Sequence, residues 1–263
     1  MKKSKYKNND AGSTERFGYQ WSKYSRIVQI YEKQFLKWAF PLIKKDFKGK
    51  VVLDAGCGVG RNSYWPLIYG AKEVVSFDYN KDTVAVAKRN LEKFKNSKVA
   101  FNSIYDIDYK NKFDISFSIG VIHHLENPIR AVKSLVNATK KNGIVLIWVY
   151  GYEGNEWIVK YVNPMRKITS KLPLALTHII SYLLTMPLYS YVKILKPKSK
   201  YLQQLSEFKF WHINNIVFDQ LIPKIANYWK KEEALELFEN QGLKDIKIYR
   251  VNDNSWTVIG RKK

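Results

Sequence analysis

The stretch Val51–Gly60, Val-Val-Leu-Asp-Ala-Gly-Cys-Gly-Val-Gly, constrains this chain more than any other. A short apolar run meets an acid and then three glycines spaced two apart, the pattern of a buried strand that runs into a ligand-binding loop. Gly56, Gly58 and Gly60 permit positive φ, and without a Cβ the main chain can lie directly against a ligand. A helix is predicted from Arg61, closed by Gly70 as its C′ residue. The loop departs from the dinucleotide fingerprint, which wants a glycine where Arg61 stands. Asp54, at the strand end, is awkward beside a pyrophosphate and suits a cationic ligand.

The residues beyond this helix extend the pattern. Glu73–Asp78 reads as a second strand ending in an acid, and Asp78 at that tip is placed to accept hydrogen bonds from both hydroxyls of a ribose. Tyr79 beside it either stacks on an adenine or packs locally. Asn80 reads as the N-cap of a helix with Val84, Ala87, Leu91 and Phe94 on one face. Val99–Asn102 and Phe113–Ser118 are predicted as the third and fourth strands. The fourth runs into Ile119-Gly120-Val121-Ile122-His123-His124, and Asn127-Pro128 starts a helix. After a turn at Asn142-Gly143, Ile144–Val149 is a continuous apolar strand, as in the middle of a mostly parallel sheet. Trp229–Gly242 reads as a helix with a C′ glycine. Lys244–Tyr249 and Ser255–Gly260 are expected to pair through the turn Asn252-Asp253-Asn254.

Asp54-x-Gly56-x-Gly58-x-Gly60, with Asp78 after it, resembles motif I and its sequel in the class I methyltransferases that depend on S-adenosylmethionine (SAM). The fourth strand and its His123-His124 exit resemble the type 11 group, which includes the ubiquinone and menaquinone methyltransferases. SAM carries an ammonium and a sulfonium and no phosphate, which agrees with Asp54. The resemblance covers about Lys50–Val149 and Phe218–Arg261. It implies an α/β fold: a Rossmann-like seven-stranded sheet with an antiparallel last strand, an N-terminal helix and a helical lid inserted after strand five. The cofactor residues it implies are Asp54, Gly56, Cys57, Gly58, Gly60, Asp78, Tyr79, Ser103, Ile104 and Ile119. Ser103 stands where the family usually has an acid beside the adenine, so a backbone amide near Ile104 is the remaining contact there. Asp106 is read as a loop cap.

The same loops narrow the chemistry. No Asn/Asp-Pro-Pro-aromatic sequence follows strand four, which disfavours methylation of an exocyclic base amine. Cys57 lies within motif I, so no cysteine is left for pyrimidine C5 or arsenite chemistry, and no acid cluster offers a magnesium site. Transfer to an oxygen or nitrogen of a small-molecule or lipid-like acceptor is the leading expectation. His124, with His123 second, is the candidate base, the other reading being that both line the cleft. An RNA methyltransferase and a SAM-binding scaffold without turnover are the alternatives.

A chain of 263 residues has room for one α/β domain and an elaboration. We divide it into a tail and cap helix (1–48), a SAM-binding domain (49–150 and 218–263) and a lid (151–217). The net charge of +22 attracts nucleic acid, anionic lipid or acidic substrates, unless the lysines reflect A/T-rich codons. One cysteine fits a reducing cytoplasm, and the basic N-terminus has no apolar run behind it, so no signal peptide is expected. Residues 1–12 read as disordered until docked. Tyr19 and Trp21, before a helix that ends at Pro41, either cover the ligand or staple that helix. In the lid, Leu174–Val192 has no formal charge apart from His178 when protonated, but Thr177, Ser181, Thr185, Ser190 and Pro187 argue against a membrane span. Its apolar face is expected to pack on the core or on a second subunit. The alternative is peripheral association with an anionic membrane, suggested by Lys171 on one side and Lys193, Lys196, Lys198 and Lys200 on the other.

Overall fold

The computed structural model describes Arg16, residues 27–195, Pro197 and residues 200–263, so Tyr19 and Trp21 lie outside the described residues. Among these, seven strands form one sheet: β1 (Val51–Ala55), β2 (Glu73–Asp78), β3 (Ser97–Phe101), β4 (Phe113–Ile119), β5 (Thr139–Tyr150), β6 (Leu243–Val251) and β7 (Ser255–Lys262). Their order is β3-β2-β1-β4-β5-β7-β6. The first five run parallel, and β7 enters antiparallel between β5 and β6, paired with β6 through the expected Asn252-Asp253-Asn254 turn.

Strand burial explains the layering. Val52 and Leu53 are both fully buried yet point to opposite faces, as the two-residue period requires. Val52, Val74, Ile115, Phe117 and Leu146 pack against α1 (Ile30–Trp38) and α2 (Arg61–Ile68) through Phe35, Trp38 and Trp65. The end of α3 (Lys81–Leu91) joins them through Leu91. Leu53, Val75, Phe113, Val145 and Ile147 pack on the other side against α4 (Pro128–Ala138) and α9 (Lys231–Glu236) through Val132, Leu135 and Ala234. Local signals place the helix ends. Asn80 Oδ1 accepts from the Thr83 N–H at 2.8 Å and Asn127 Oδ1 from the Arg130 N–H at 3.0 Å, both N-caps. Gly70, at φ +84°, closes α2.

Strands β3, β6 and β7 differ from the sequence expectation by one to two residues at their ends, and three larger differences matter. Thr139 pairs with Phe113 and Ile144 with Ile115, so the stretch around Asn142 loops out of β5 instead of preceding it. The helix expected over Trp229–Gly242 is regular only over α9. The lid consists of a π-helical turn (Ile158–Val162), α5 (Asn163–Thr169), α6 (Leu174–Ile194), α7 (Lys200–Ser206) and α8 (Phe210–Leu221). Because α8 runs unbroken through Phe218 and Asp219, a lid boundary at residue 217 cuts a helix.

Of the two partners expected for the lid's apolar face, the core or a second subunit, the core is not what it meets over residues 176–186. The buried side chains of α6 are Thr177, His178, Ser181, Thr185 and Val192. The hydroxyls are satisfied locally: Thr177, Ser181 and Thr185 donate to carbonyls of their own helix turn, and Asn214 Nδ2 on α8 donates to Ser181 Oγ and Thr185 Oγ1. No described helix is long and apolar enough to cross a membrane.

Candidate active site

In an open parallel sheet a ligand lies beyond the carboxyl ends of the strands, where the strand order reverses. That point is between β1 and β4 here. The loops leaving β1, β2, β4 and β5 open there into one cavity of about 330 Å³. Gly56 lies directly against Val121: a Cβ on Gly56 would come within 2.4 Å of Val121 Cγ2, so a side chain at this position would force that valine to move.

Asp78 lines the cavity at the tip of β2. Its Oδ2 accepts from the Gly58 N–H at 2.9 Å and its Oδ1 from the Asn80 N–H at 3.0 Å. The carboxylate thus fixes the glycine loop, with the Tyr79 N–H as a third backbone donor, and keeps acceptor capacity for a ligand. Burial raises its pKa, and those backbone N–H groups oppose the shift. Gly56, Cys57, Gly58, Tyr79, Ser103, Ile104 and Ile119 line the same cavity. Tyr79 stacks on Phe101 with ring centroids 5.1 Å apart, so it packs and faces the ligand space at once.

Three expected residues lie elsewhere. Gly60 caps α2 at φ +82° and faces Leu91, whose Cδ1 a Cβ there would approach to 3.0 Å, so it serves helix packing. Asp54 sits beneath the loop, fully buried. Its Oδ2 accepts from Ser63 Oγ at 2.6 Å, and its Oδ1 has no partner. Burial raises its pKa to about 7, with a contribution from Asp78, against the Ser63 bond. His123 is fully buried and does not line the cavity; its ring stacks on Tyr150 at 3.6 Å, and Tyr150 stacks on Tyr228 at 5.3 Å. It supports the cavity wall and is not placed to act as a base.

His124 does line the cavity. Its Nδ1 lies 2.8 Å from the Ile225 carbonyl oxygen. A carbonyl only accepts, so Nδ1 carries the proton and Nε2 the lone pair. Burial lowers the pKa to about 4, so the ring is neutral near pH 7.

The sequence reading missed the far wall. Gln34 and Trp38 come from α1, and Tyr201, Leu205, Phe208, Asp219 and Gln220 from the lid. Arg61 lines the cavity too, its guanidinium 4.6 Å from the Tyr31 ring and 5.3 Å from the Trp38 ring. Only its departure from the dinucleotide pattern had marked it. The insertion after strand five marked a lid over the carboxyl ends of the strands, but nothing local to its residues says which of them face the cavity.

The donor set fits SAM. Asp78 offers acceptors for a ribose, and Tyr79, Ser103 and Ile104 an edge for an adenine. The backbone of Gly56–Gly58 and Ile119–Gly120 offers a Cβ-poor floor for the methionine part, and Arg61 a cation for its carboxylate.

Comparison with known proteins agrees. A family model described as a methyltransferase domain matches residues 46–242. The tRNA U34 carboxymethyltransferase of Helicobacter pylori (strain Shi470) is 31% identical over 121 residues, 43% of this chain and 45% of that protein. That of Campylobacter hominis is 33% identical over 135 residues, 48% and 45%. The chain thus spans under half the length of these relatives. Among solved structures, magnesium protoporphyrin IX methyltransferase from Synechocystis with bound SAH superposes with a TM-score of 0.58 at 12% identity, covering 97% of both chains. A SAM-dependent methyltransferase from Aquifex aeolicus gives 0.56 at 15% identity, covering 94% and 98%. A glycine loop held by Asp78, a seven-stranded sheet with β7 antiparallel, and a family match over most of the chain lead to one assignment: the protein belongs to the class I SAM-dependent methyltransferases.

Proposed function

We propose that this methyltransferase acts on an oxygen or nitrogen of a small-molecule or lipid-like acceptor enclosed beneath its lid. The observation that carries the reading is the shared cavity: Gly58 and Asp78 of the cofactor loops, Tyr201, Leu205, Phe208 and Gln220 of the lid, and His124 all line it. A chamber lined by both the cofactor loops and the lid suits a small acceptor.

Bound in this cavity, SAM supplies an electrophilic methyl on sulfur with a neutral thioether as leaving group. The chain's own work is positioning and proton transfer. Asp78 and the glycine backbone hold the donor, and the lid holds the acceptor. For a hydroxyl acceptor, His124 Nε2 takes the proton as the oxygen becomes nucleophilic, while the Ile225 carbonyl keeps the ring in that tautomer. His124→Ala is expected to lower kcat by about 10² to 10⁴ with SAM affinity unchanged. Because the ring's pKa is about 4, the wild-type rate should show no inflection between pH 6 and 8 from this group. A rate equal to wild type in His124→Ala would leave the residue a structural role.

A second reading, methylation of tRNA, is favoured by the names of the sequence relatives and by the net charge of +22. Incubation with methyl-labelled SAM and either total tRNA or a tRNA-free extract of small molecules and lipids separates the two. Label in the small-molecule or lipid fraction supports the enclosed-acceptor reading, and label in nuclease-sensitive material alone overturns it.

A further inference from the structure

The outer surface of the lid is apolar where a protein in water is normally polar. Among the described residues, thirteen of the twenty large hydrophobic side chains that stand exposed lie between Trp157 and Leu195. On α6 they form a face: Leu176, Ile179, Leu183 and Met186 recur at helical spacing, and Ile179, Leu183 and Met186 are 58%, 64% and 59% exposed. The opposite face, Thr177, Ser181 and Thr185, is buried, with Ser181 and Thr185 against Asn214 of α8. From Leu176 to Met186 the helix is therefore inverted, polar side in and apolar side out, whereas its C-terminal end buries Val192 against Leu205, Phe208 and Ile213. The preceding helical stretch, which also rests on α8, exposes Trp157, Tyr161 and Ile168. Isolated exposed apolar residues are ordinary, but a contiguous face of them marks a docking surface.

Charge identifies what docks. From Trp157 to Ser206 the sequence has eight Lys and Arg residues and no Asp or Glu. A second copy of the chain is a poor occupant, because a two-fold interface would bring the same basic segment of both copies together. A nucleic acid matches the charge but gives no apolar cover to Leu183 or Met186. An anionic lipid bilayer supplies both, with phosphates for the lysines and acyl chains for the apolar face, and it takes an amphipathic helix lying in its plane.

We propose that α6 and the stretch before it dock this methyltransferase onto an anionic membrane surface, with Ile179, Leu183 and Met186 entering the acyl boundary. The docked helix is then the outer layer of the active-site lid. Its buried face holds α8 through Asn214, and α8 presents Asp219 and Gln220 to the chamber. Docking places that roof at the lipid surface, where a lipid-like acceptor would arrive.

The test is flotation of the full chain with vesicles of phosphatidylcholine alone or of phosphatidylcholine and phosphatidylglycerol in equal parts. We expect binding to the mixed vesicles only. Ile179→Glu with Leu183→Glu should reduce the partition by about tenfold or more, and Lys167→Gln with Lys171→Gln by about fivefold per lysine. All four side chains are exposed, so circular dichroism and SAM affinity should match wild type. Absence of binding to mixed vesicles at low salt overturns the proposal. So does binding that the glutamates leave intact, which would be bulk electrostatics. A wild-type dimer in sedimentation that the glutamate variant dissociates would show that a second copy covers the face, and would overturn it as well. Flotation needs no acceptor, so its outcome is independent of the acceptor's identity.

Discussion

The Asp54 carboxyl is sealed beneath the glycine loop, and burial raises its pKa to about 7, so near neutral pH it exchanges a proton. A cationic ligand on the loop above favours the carboxylate, and its binding must release part of that proton. SAM affinity is therefore expected to strengthen as pH rises through about 7, and more so than that of S-adenosylhomocysteine, which lacks the sulfonium charge. Calorimetry in two buffers of different ionisation enthalpy measures the proton released; Asp54→Asn should abolish the release, and none in wild type would refute the coupling. Asp78→Ala should cost roughly 1.5 to 3 kcal/mol of SAM binding through lost charge-assisted hydrogen bonds and a loosened Gly58. An affinity within twofold of wild type would show that Asp78 only braces the loop. Asp78 was legible in the sequence because a strand tip followed by an N-cap admits few directions. Gly60 and His123 were not, since spacing gives their order along the loop but not the side each presents. Gly60 turned to Leu91 and His123 to Tyr150.

Elements were legible where burial is two-sided. β2 falls on the expected residues, and β1 starts where its apolar run does, because a fully buried strand has no polar face to blur its ends. Packing of the lid's apolar face on the core was misread for the complementary reason. The lid's apolar residues announce a helix, but periodicity cannot say whether an apolar arc faces a core or another medium, and here the polar arc is inside. What holds the first half of α6 down is thus a hydrogen-bonded contact, while its C-terminal end is held by burial of Val192 against Leu205, Phe208 and Ile213. Asn214→Ala removes both bonds to Ser181 and Thr185, whose hydroxyls keep their own carbonyl partners, so the cost should be about 1 to 2 kcal/mol. If the lid opens as a unit, amides of Leu174–Ile194 should exchange about tenfold faster, with β1 and β4 unchanged. Equal acceleration throughout would mean that the lid is part of the global folding unit.

At the scale of the molecule the charge decides. The sequence carries 45 Lys and Arg against 23 Asp and Glu, a surplus of +22. The ion pairs recorded among the described residues join Glu32, Glu73, Asp106 and Asp114 to lysines or arginine, and most of those cations are well exposed to solvent. Exposed pairs of this kind contribute about 0 to 1 kcal/mol each, and salt weakens them. The surplus works in the opposite sense: like charges spread over the folded surface repel at distances that the unfolded chain relaxes, and salt screens that repulsion. Since the screening length falls to about 10 Å at 0.1 M, comparable with spacings between surface lysines, the larger effect should win over that range. The melting temperature is therefore expected to rise from low salt to about 0.15 M sodium chloride and then level off. Replacing chloride with sulfate at equal ionic strength separates screening from salting-out, because only the latter depends on the anion's exclusion from the surface. A melting temperature that falls with added salt would mean that the few carboxylate pairs outweigh the surplus, and that the positive surface is distributed so as not to oppose folding.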